Sequence, residues 1–261
     1  MVATMSAYTR RVSVIIPVRN GAATIEHALS SVLCELSEED EIIVVDDKSV
    51  DSTRDVVEGF GDHIIFISNS GSGIVDALNT GLHHARGMYI ARCDADDAWV
   101  TDRLSTQIDV LESNPDAAAC FGAAILLDEQ GNHRGVQVPP IDLELLRSSL
   151  LRRNILIHGA VLARHSAIAG VGGYRHITGA EDYDLWLRLT RNAPIVTITQ
   201  PVYIYRLSNE TSYDLKRRVA ARSSLRILFS HARATGEFSL LGLVRNALSA
   251  VWPWRRFWYG G

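Results

Sequence analysis

Cysteine is scarce: Cys34, Cys93 and Cys120 are the whole complement, odd in number, far apart and without a C-x-x-C pair. That excludes a disulfide framework and a cysteine zinc cage, and it suits a reducing, cytoplasmic setting. No run of about 20 uninterrupted apolar residues occurs, so no bilayer-spanning helix is expected. Residues 1–11 are polar and lack the apolar core of a signal peptide. Basic charge is not in excess, with 26 Lys+Arg against 30 Asp+Glu and a net charge of −4, so no general attraction to nucleic acid follows. Two familiar catalytic loops are missing as well. There is no G-x-x-x-x-G-K-[ST] phosphate loop and no G-x-S-x-G nucleophile elbow. Gly71-Ser72-Gly73 begins like a dinucleotide fingerprint, but Asp76 occupies the third glycine position, beside the place a pyrophosphate would need.

What the chain does have is Arg86-Gly87-Met88-Tyr89-Ile90-Ala91-Arg92-Cys93-Asp94-Ala95-Asp96-Asp97, an apolar strand that runs into three carboxylates within four positions. If the strand stays extended to its end, Asp94 and Asp96 point to the same side. Like charges so close repel unless a positive group sits among them. Hard oxygen donors of this kind suit Mg²⁺ or Mn²⁺, which share their shells with phosphates and water. The alternative is a solvated acidic turn in which Asp97 or Thr101 caps the next helix.

The surrounding pattern is α/β. Val12 to Val18 is a continuous apolar run, the mark of a strand buried on both faces, and Asn20-Gly21 breaks it. Ile25, Leu29, Val32 and Leu33 follow at helical spacing. A second strand at 41–45 ends in Asp46-Asp47, and Asp51 or Ser52 is positioned to cap a helix over 52–60. A third strand at 64–68, a helix over 74–85 with Gly87 as its closing glycine, and the strand at 86–97 complete the first lobe. Strands alternating with helices predict a Rossmann-like, mostly parallel central sheet flanked by helices. In such sheets ligands gather at the carboxyl ends of the strands, and residues 17–20, 46–47 and 94–97 all fall there. Further on, helices are expected around Leu104, around Leu146 and over 183–191, strands at 117–127 and 195–205, and turns at 129–132 and 172–174. From residue 214 the chain reads helical, then aromatic and basic.

Assembled in order, the motifs resemble the family-2 glycosyltransferases of the GT-A fold. The matching pieces are Val14-Ile15-Ile16-Pro17-Val18-Arg19-Asn20, Ile43-Val44-Val45-Asp46-Asp47, Ala77-Leu78-Asn79-Thr80-Gly81, Asp94-Ala95-Asp96-Asp97, Val171-Gly172-Gly173-Tyr174 and Glu181-Asp182-Tyr183-Asp184-Leu185-Trp186-Leu187-Arg188. They span residues 12–206. The resemblance implies an inverting, metal-dependent enzyme that moves a sugar from a nucleotide-diphosphate donor, a UDP-sugar first, to a hydroxyl of a glycan, lipid-linked or other acceptor. It implies that Asp46 or Asp47 holds the base, with Pro17, Val18 and Asn20 shaping that pocket and Asp94 and Ala95 at the ribose. Asp96, helped by Asp97, would bind Mn²⁺ or Mg²⁺ on the diphosphate, and Asp182 beside Glu181 would be the catalytic base. Glu181-Asp182 read without the resemblance is simply acidic charge at a helix start. His158, Trp186 and Arg206 are acceptor-side candidates, although a lone His in an apolar run is commonly a core residue, and Arg206 suits a phosphate or a surface carboxylate equally. One departure stands out: where the family places Gly-Ser after its paired aspartates, this chain has Lys48-Ser49. Losing the glycine restricts φ there.

The expected organisation is a nucleotide-sugar lobe (1–98), an acceptor lobe of the same domain (99–213) and a C-terminal helical extension (214–261). A nucleotidyltransferase would also combine such a sheet with acidic metal ligands, but it needs an early Gly-rich loop with Arg and Lys, and residues 12–22 lack one. An inactive nucleotide- or glycan-binding module is the non-enzymatic alternative. In the extension, Ser239, Gly242, Arg245, Asn246 and Ser249 share roughly a third of a helical wheel and apolar residues fill the rest. Trp252, Trp254, Arg255, Arg256, Phe257, Trp258 and Tyr259 follow. That mixture predicts peripheral contact with the inner face of a membrane or dimerisation, or else a helix packed on the catalytic body.

Overall fold

The computed structural model describes residues 8–207 and 210–251, with side chains over 8–207 and 219–248. The first half is strand and helix in alternation: β1 (Arg10–Val18), α1 (Ile25–Leu33), β2 (Glu41–Asp46), α2 (Thr53–Glu58), β3 (Ile64–Ser68), α3 (Ile74–His84) and β4 (Gly87–Arg92). β1 shows why its sequence is apolar at almost every position. Val12, Val14 and Ile16 face one side, where Ile25, Leu29 and Val32 of α1 cover them, and Ile15 faces the other, where Leu78 of α3 lies. Both sides of the sheet are therefore dry, and all of these residues are fully buried.

The second half is β5 (Ala98–Trp99), α4 (Arg103–Ser113), β6 (Ala119–Leu127), β7 (His133–Gln137), α5 (Leu143–Leu150), β8 (Val161–Arg164), α6 (His165–Gly170), α7 (Glu181–Leu189) and β9 (Ile195–Arg206), followed by α8 (Glu210–Thr235) and α9 (Leu240–Val251). One sheet holds all the strands in the order β3-β2-β1-β4-β8-β6-β9-β5, with β7 paired outside β6. β3, β2, β1 and β4 are mutually parallel, β8 enters antiparallel between β4 and β6, and β6 runs parallel to β9. The sheet thus continues without a break past residue 98, the expected boundary between the lobes.

Three local expectations are corrected. Gly87 does not close α3; that helix ends at His84 with Ala85 as its cap, and Gly87 opens β4. A Cβ on Gly87 would collide with the backbone of Ser13 in β1, so the glycine serves close strand pairing rather than a helix cap. β4 stops at Arg92, and the acidic stretch beyond it is a turn. The cap of α4 is neither Asp97 nor Thr101: Glu35, at the end of α1, accepts from the N–H groups of Asp102 (2.9 Å) and Leu104 (3.4 Å). For α2 the choice falls on Asp51, whose Oδ1 accepts from the Thr53 N–H at 3.1 Å. The strand β7 was not foreseen. The aromatic stretch 252–259 lies outside the described residues.

Candidate active site

Because β2, β1 and β4 are neighbours and parallel, Asp46, Val18 and Arg92 end on one edge of the sheet. Past Arg92 the chain folds back, with the Asp97 N–H on the Asp94 carbonyl at 3.2 Å. The alternation expected of an extended strand is therefore lost, and the three carboxylates part company. Asp94 is partly exposed, Asp96 is exposed and Asp97 is buried.

The turn is held from β9. The Tyr203 hydroxyl accepts from the Asp94 N–H at 2.9 Å and donates to Asp97 Oδ2 at 2.8 Å. Asp97 Oδ1 takes the Arg206 N–H at 2.7 Å, and Arg206 Nε reaches the Asp96 carbonyl at 3.1 Å. Both oxygens of Asp97 are thus engaged inside the protein, although the sequence suggested it as a helper at the metal. Burial first, and then the negative charge of Asp94, push its carboxyl up to about 8. Through these contacts Arg206 braces the acidic turn. Tyr203 itself can lie flat here because residue 159 is glycine: a Cβ at that position would overlap the phenol ring.

Arg92, which the sequence reading passed over, sits beneath the turn. It is 1% exposed, and its Nη2 donates to Asp94 Oδ1 at 2.6 Å. Burial works against its charge, but Asp94, with Tyr174 and Tyr203, more than offsets that, and the guanidinium is held above its ordinary value. A positive group thus stands among the carboxylates, as their spacing required. The available signal was an arginine at the buried end of an apolar strand, directly before three acids.

At the end of β2, Asp47 Oδ1 accepts from Asn69 Nδ2 at 2.8 Å and Oδ2 from the Gly73 N–H at 2.9 Å, tying β2 to the start of α3. Asp46 has weaker ties, both oxygens at 3.3 Å from the Ser49 N–H. Asn20 interlocks with the next loop, its N–H on Ser49 Oγ at 2.8 Å and its Oδ1 under the Val50 N–H at 2.9 Å. Asn20 and Lys48 both hold positive φ, 54° and 63°. Lys48 thus adopts the left-handed conformation at the position where the family pattern has glycine. Pro17 and Val18 end β1, and Ala95 lies against Gly21. Asp76 turns back on its own helix start, accepting from the Ser72 N–H at 2.8 Å. Its carboxylate lies over Gly71 and Ser72, where the resemblance to a dinucleotide fingerprint begins.

The second acidic pair opens α7. Asn154 Nδ2 donates to Asp182 Oδ2 at 2.7 Å, and the Tyr183 N–H to Oδ1 at 2.6 Å. Burial, and then the neighbouring Glu181, raise the Asp182 carboxyl to about 7. Glu181 is also raised, again by burial, and its Oε2 is buried with no hydrogen-bond partner. Tyr174 is the meeting point of the lobes. Its backbone is clasped by Asn79 of α3, at 3.0 Å through its N–H and 2.9 Å through its carbonyl. Its hydroxyl shares a 2.7 Å hydrogen bond with His158 and feels the charges of Arg92, Asp182, Glu181 and Asp94 together. His158 is a satisfied, neutral imidazole, held well below its ordinary value by burial and by Arg92. Trp186 is 0% exposed, edge-on to Phe121 and His158, and so forms the wall behind His158 rather than a surface an acceptor can touch.

Among the described residues no three His, Cys, Asp or Glu side chains are grouped to cage a metal ion. The donors at the turn, exposed Asp96 and partly exposed Asp94, are hard oxygens and fit an ion of the Mg²⁺ type, which completes its shell with phosphate and water.

The family model described as Glycosyl transferase family 2 matches residues 13–171. A curated relative from Rickettsia conorii, described as an uncharacterized glycosyltransferase, is 34% identical over 203 residues, which cover 73% of this chain and 33% of the relative. The chain thus spans about a third of that relative's length. Among solved structures, mannosyltransferase PcManGT from Pyrobaculum calidifontis, in complex with GDP-Man and Mn²⁺, superposes with a TM-score of 0.66 at 22% identity, covering 95% of this chain and 71% of that one. S. aureus TarS in complex with UDP gives 0.62 at 21% identity, covering 87% and 74%. Both share the GT-A fold of this chain.

The clamp on the acidic turn is open to a direct check. Tyr203→Phe keeps the ring but leaves the Asp94 N–H and the Asp97 carboxyl without their shared partner. Urea unfolding is expected to show a loss of about 1–3 kcal/mol; unchanged stability would show that the hydroxyl does not hold the turn.

Proposed function

The chain belongs to glycosyl transferase family 2, and from that premise we propose that it transfers a sugar, with inversion, from a nucleotide-diphosphate donor to an acceptor hydroxyl. The observation that carries this reading is that two acidic groups from different lobes, Asp94 in the turn after β4 and Glu181-Asp182 at the start of α7, both act on the Tyr174 hydroxyl, with Arg92 bonded to Asp94 at 2.6 Å. Donor and acceptor must meet there from opposite sides.

On the donor side, Asp46 is the freer of the paired aspartates and is assigned to the base, while Asp47 keeps the pocket in shape through Asn69 and Gly73. Pro17, Val18 and Asn20 form the wall. Asp94 and Ala95 are assigned to the ribose and Asp96 to a divalent ion, Mn²⁺ or Mg²⁺. Such an ion, when bound, supplies charge stabilisation to the departing diphosphate. GDP-Man with Mn²⁺ in one structural neighbour and UDP in another support a nucleotide donor in this cleft. A UDP-sugar is the donor assigned first, and Lys48 beside the pocket is the residue that distinguishes this chain's preference.

On the acceptor side, Asp182 is the general base. Attack on the anomeric carbon from the face opposite the diphosphate calls for a carboxylate away from the metal. Asn154 and the Tyr183 N–H fix its orientation, and a value raised to about 7 suits a group that must take a proton near neutrality. Glu181, whose Oε2 is buried without a hydrogen-bond partner, is assigned to orient the acceptor. The acceptor hydroxyl gives its proton to Asp182 as its oxygen bonds to the sugar and the nucleotide diphosphate leaves.

Two measurements follow. In a thermal-shift panel of UDP-, GDP- and dTDP-sugars with Mn²⁺, a donor present at about 100 Kd stabilises the fold by roughly 2.7 kcal/mol; no shift with any of them would count against the reading. Turnover should rise with pH through about 7 and level off above it, because Asp182 works only when unprotonated. Asp182→Asn should lower turnover by about 10²–10⁴-fold and flatten that rise, with donor affinity unchanged. A variant with parental turnover would move the role to Glu181 or Asp184.

A further inference from the structure

α9 packs on the protein the wrong way round for a soluble surface helix. Its inner side is made of small and polar residues. Gly242 lies so close to the carbonyl of Leu151 that a Cβ would collide with it, and Asn246 Nδ2 donates to the Arg152 carbonyl at 3.0 Å. Asn246 is 8% exposed, and of the leucines in this helix Leu243 packs against the core. The outer side carries the rest: Leu240 is 68% exposed, Leu241 62%, Val244 48% and Leu248 53%. These positions recur at helical spacing and form one stripe. A helix in contact with water on that side would bury the leucines and expose the asparagine. The glycine contact and the Asn246 hydrogen bonds lock the opposite choice.

The stripe is not isolated. Of the fifteen large apolar side chains that stand exposed among the described residues, eleven lie within two stretches, residues 136–145 and 229–248, so the exposure is regional rather than scattered. Phe229 of α8 and Phe238, just before α9, are exposed as well, at 60% and 66%. The ion pair of Arg147 with Glu237 and the contact of Gly242 with Leu151 join α5 to the α9 region.

We propose that this face rests on an anionic lipid surface, with the leucine stripe in the headgroup–acyl boundary. Charge selects lipid over a second copy of the chain. From residue 238 to the C-terminus there is no Asp or Glu, and the charged residues are Arg245, Arg255 and Arg256. A two-fold pairing of this segment would double its positive charge with no carboxylate of its own to pair with, whereas anionic headgroups neutralise it. The sequence that follows α9 alternates Trp252, Trp254, Phe257, Trp258 and Tyr259 with the two arginines, the composition favoured at headgroup level. No described helix is long and apolar enough to cross a membrane, so the contact is peripheral. α9 touches the backbone at Leu151 and Arg152, two residues before the Asn154 that holds Asp182. The acceptor side of the cleft would therefore lie beside the bilayer, which suits an acceptor with a lipid anchor; this extension rests on the catalytic reading, and the surface contact does not.

The test is flotation of the full chain, without donor, on vesicles of phosphatidylcholine alone and of phosphatidylcholine mixed with phosphatidylglycerol. The parent is expected to float with the anionic vesicles. The double variant Leu241→Glu/Leu248→Glu, altered at exposed positions, should lose at least about tenfold in lipid partition while its thermal unfolding and UDP binding match the parent's. Arg255→Gln/Arg256→Gln should weaken recovery on the anionic vesicles without touching the helix. A parent that stays unbound on both vesicle types, or a double glutamate variant that floats equally well, would overturn the proposal. So would a parent that sediments as a dimer, fails to float, and becomes monomeric in the double variant.

Discussion

Three carboxylates within four residues cannot share one environment, and the active edge of this protein is shaped by how they are separated. One hydroxyl does most of it. Tyr203, arriving from β9, accepts from the Asp94 N–H and donates a hydrogen bond to Asp97, which holds Asp97 in the interior and leaves Asp94 and Asp96 nearer the surface. Arg92 below neutralises Asp94, and Arg206 closes the far side of the turn. The acidic turn is thus positioned by the strand that also carries the sheet into the second lobe. Donor side and acceptor side are mechanically one object.

The same logic explains the pairing of Asp182 with Glu181. At the start of α7 the macrodipole favours negative charge, but burial and mutual repulsion oppose it, and the balance leaves Asp182 near neutrality. Asn154 and the Tyr183 N–H each hold one of its oxygens. A carboxylate fixed in orientation, with affinity for a proton near physiological pH, is what general-base chemistry asks of a side chain.

Much of this was legible in the sequence. Apolar runs gave β1, β2 and β4, and helical spacing gave α1, α3, α4 and α7, because burial on both faces of a parallel sheet leaves a dense local signal. β7 stayed hidden: its His-Arg-Gly-Val-Gln run lies at the edge of the sheet and is largely exposed, so it lacks apolar periodicity. Gly87 misled because a glycine after a helix looks like a cap, whereas its reason is contact with Ser13 across the sheet. Tyr203 and Asn154 could not be singled out, since their roles depend on partners 109 and 28 residues away in the chain. Lys48 shows the converse. The missing glycine was visible in the sequence, and the structure adds that the backbone keeps the left-handed conformation even with a side chain there.

The central claim is that the exposed carboxylate of the acidic turn couples a divalent ion to the donor's diphosphate. Calorimetric titration of UDP into the parent and into Asp96→Ala, each with and without saturating Mn²⁺, tests it most directly. The account predicts that Mn²⁺ tightens UDP binding at least about tenfold, roughly 1.4 kcal/mol, in the parent and leaves the variant nearly unchanged. Equal tightening in both proteins would contradict it.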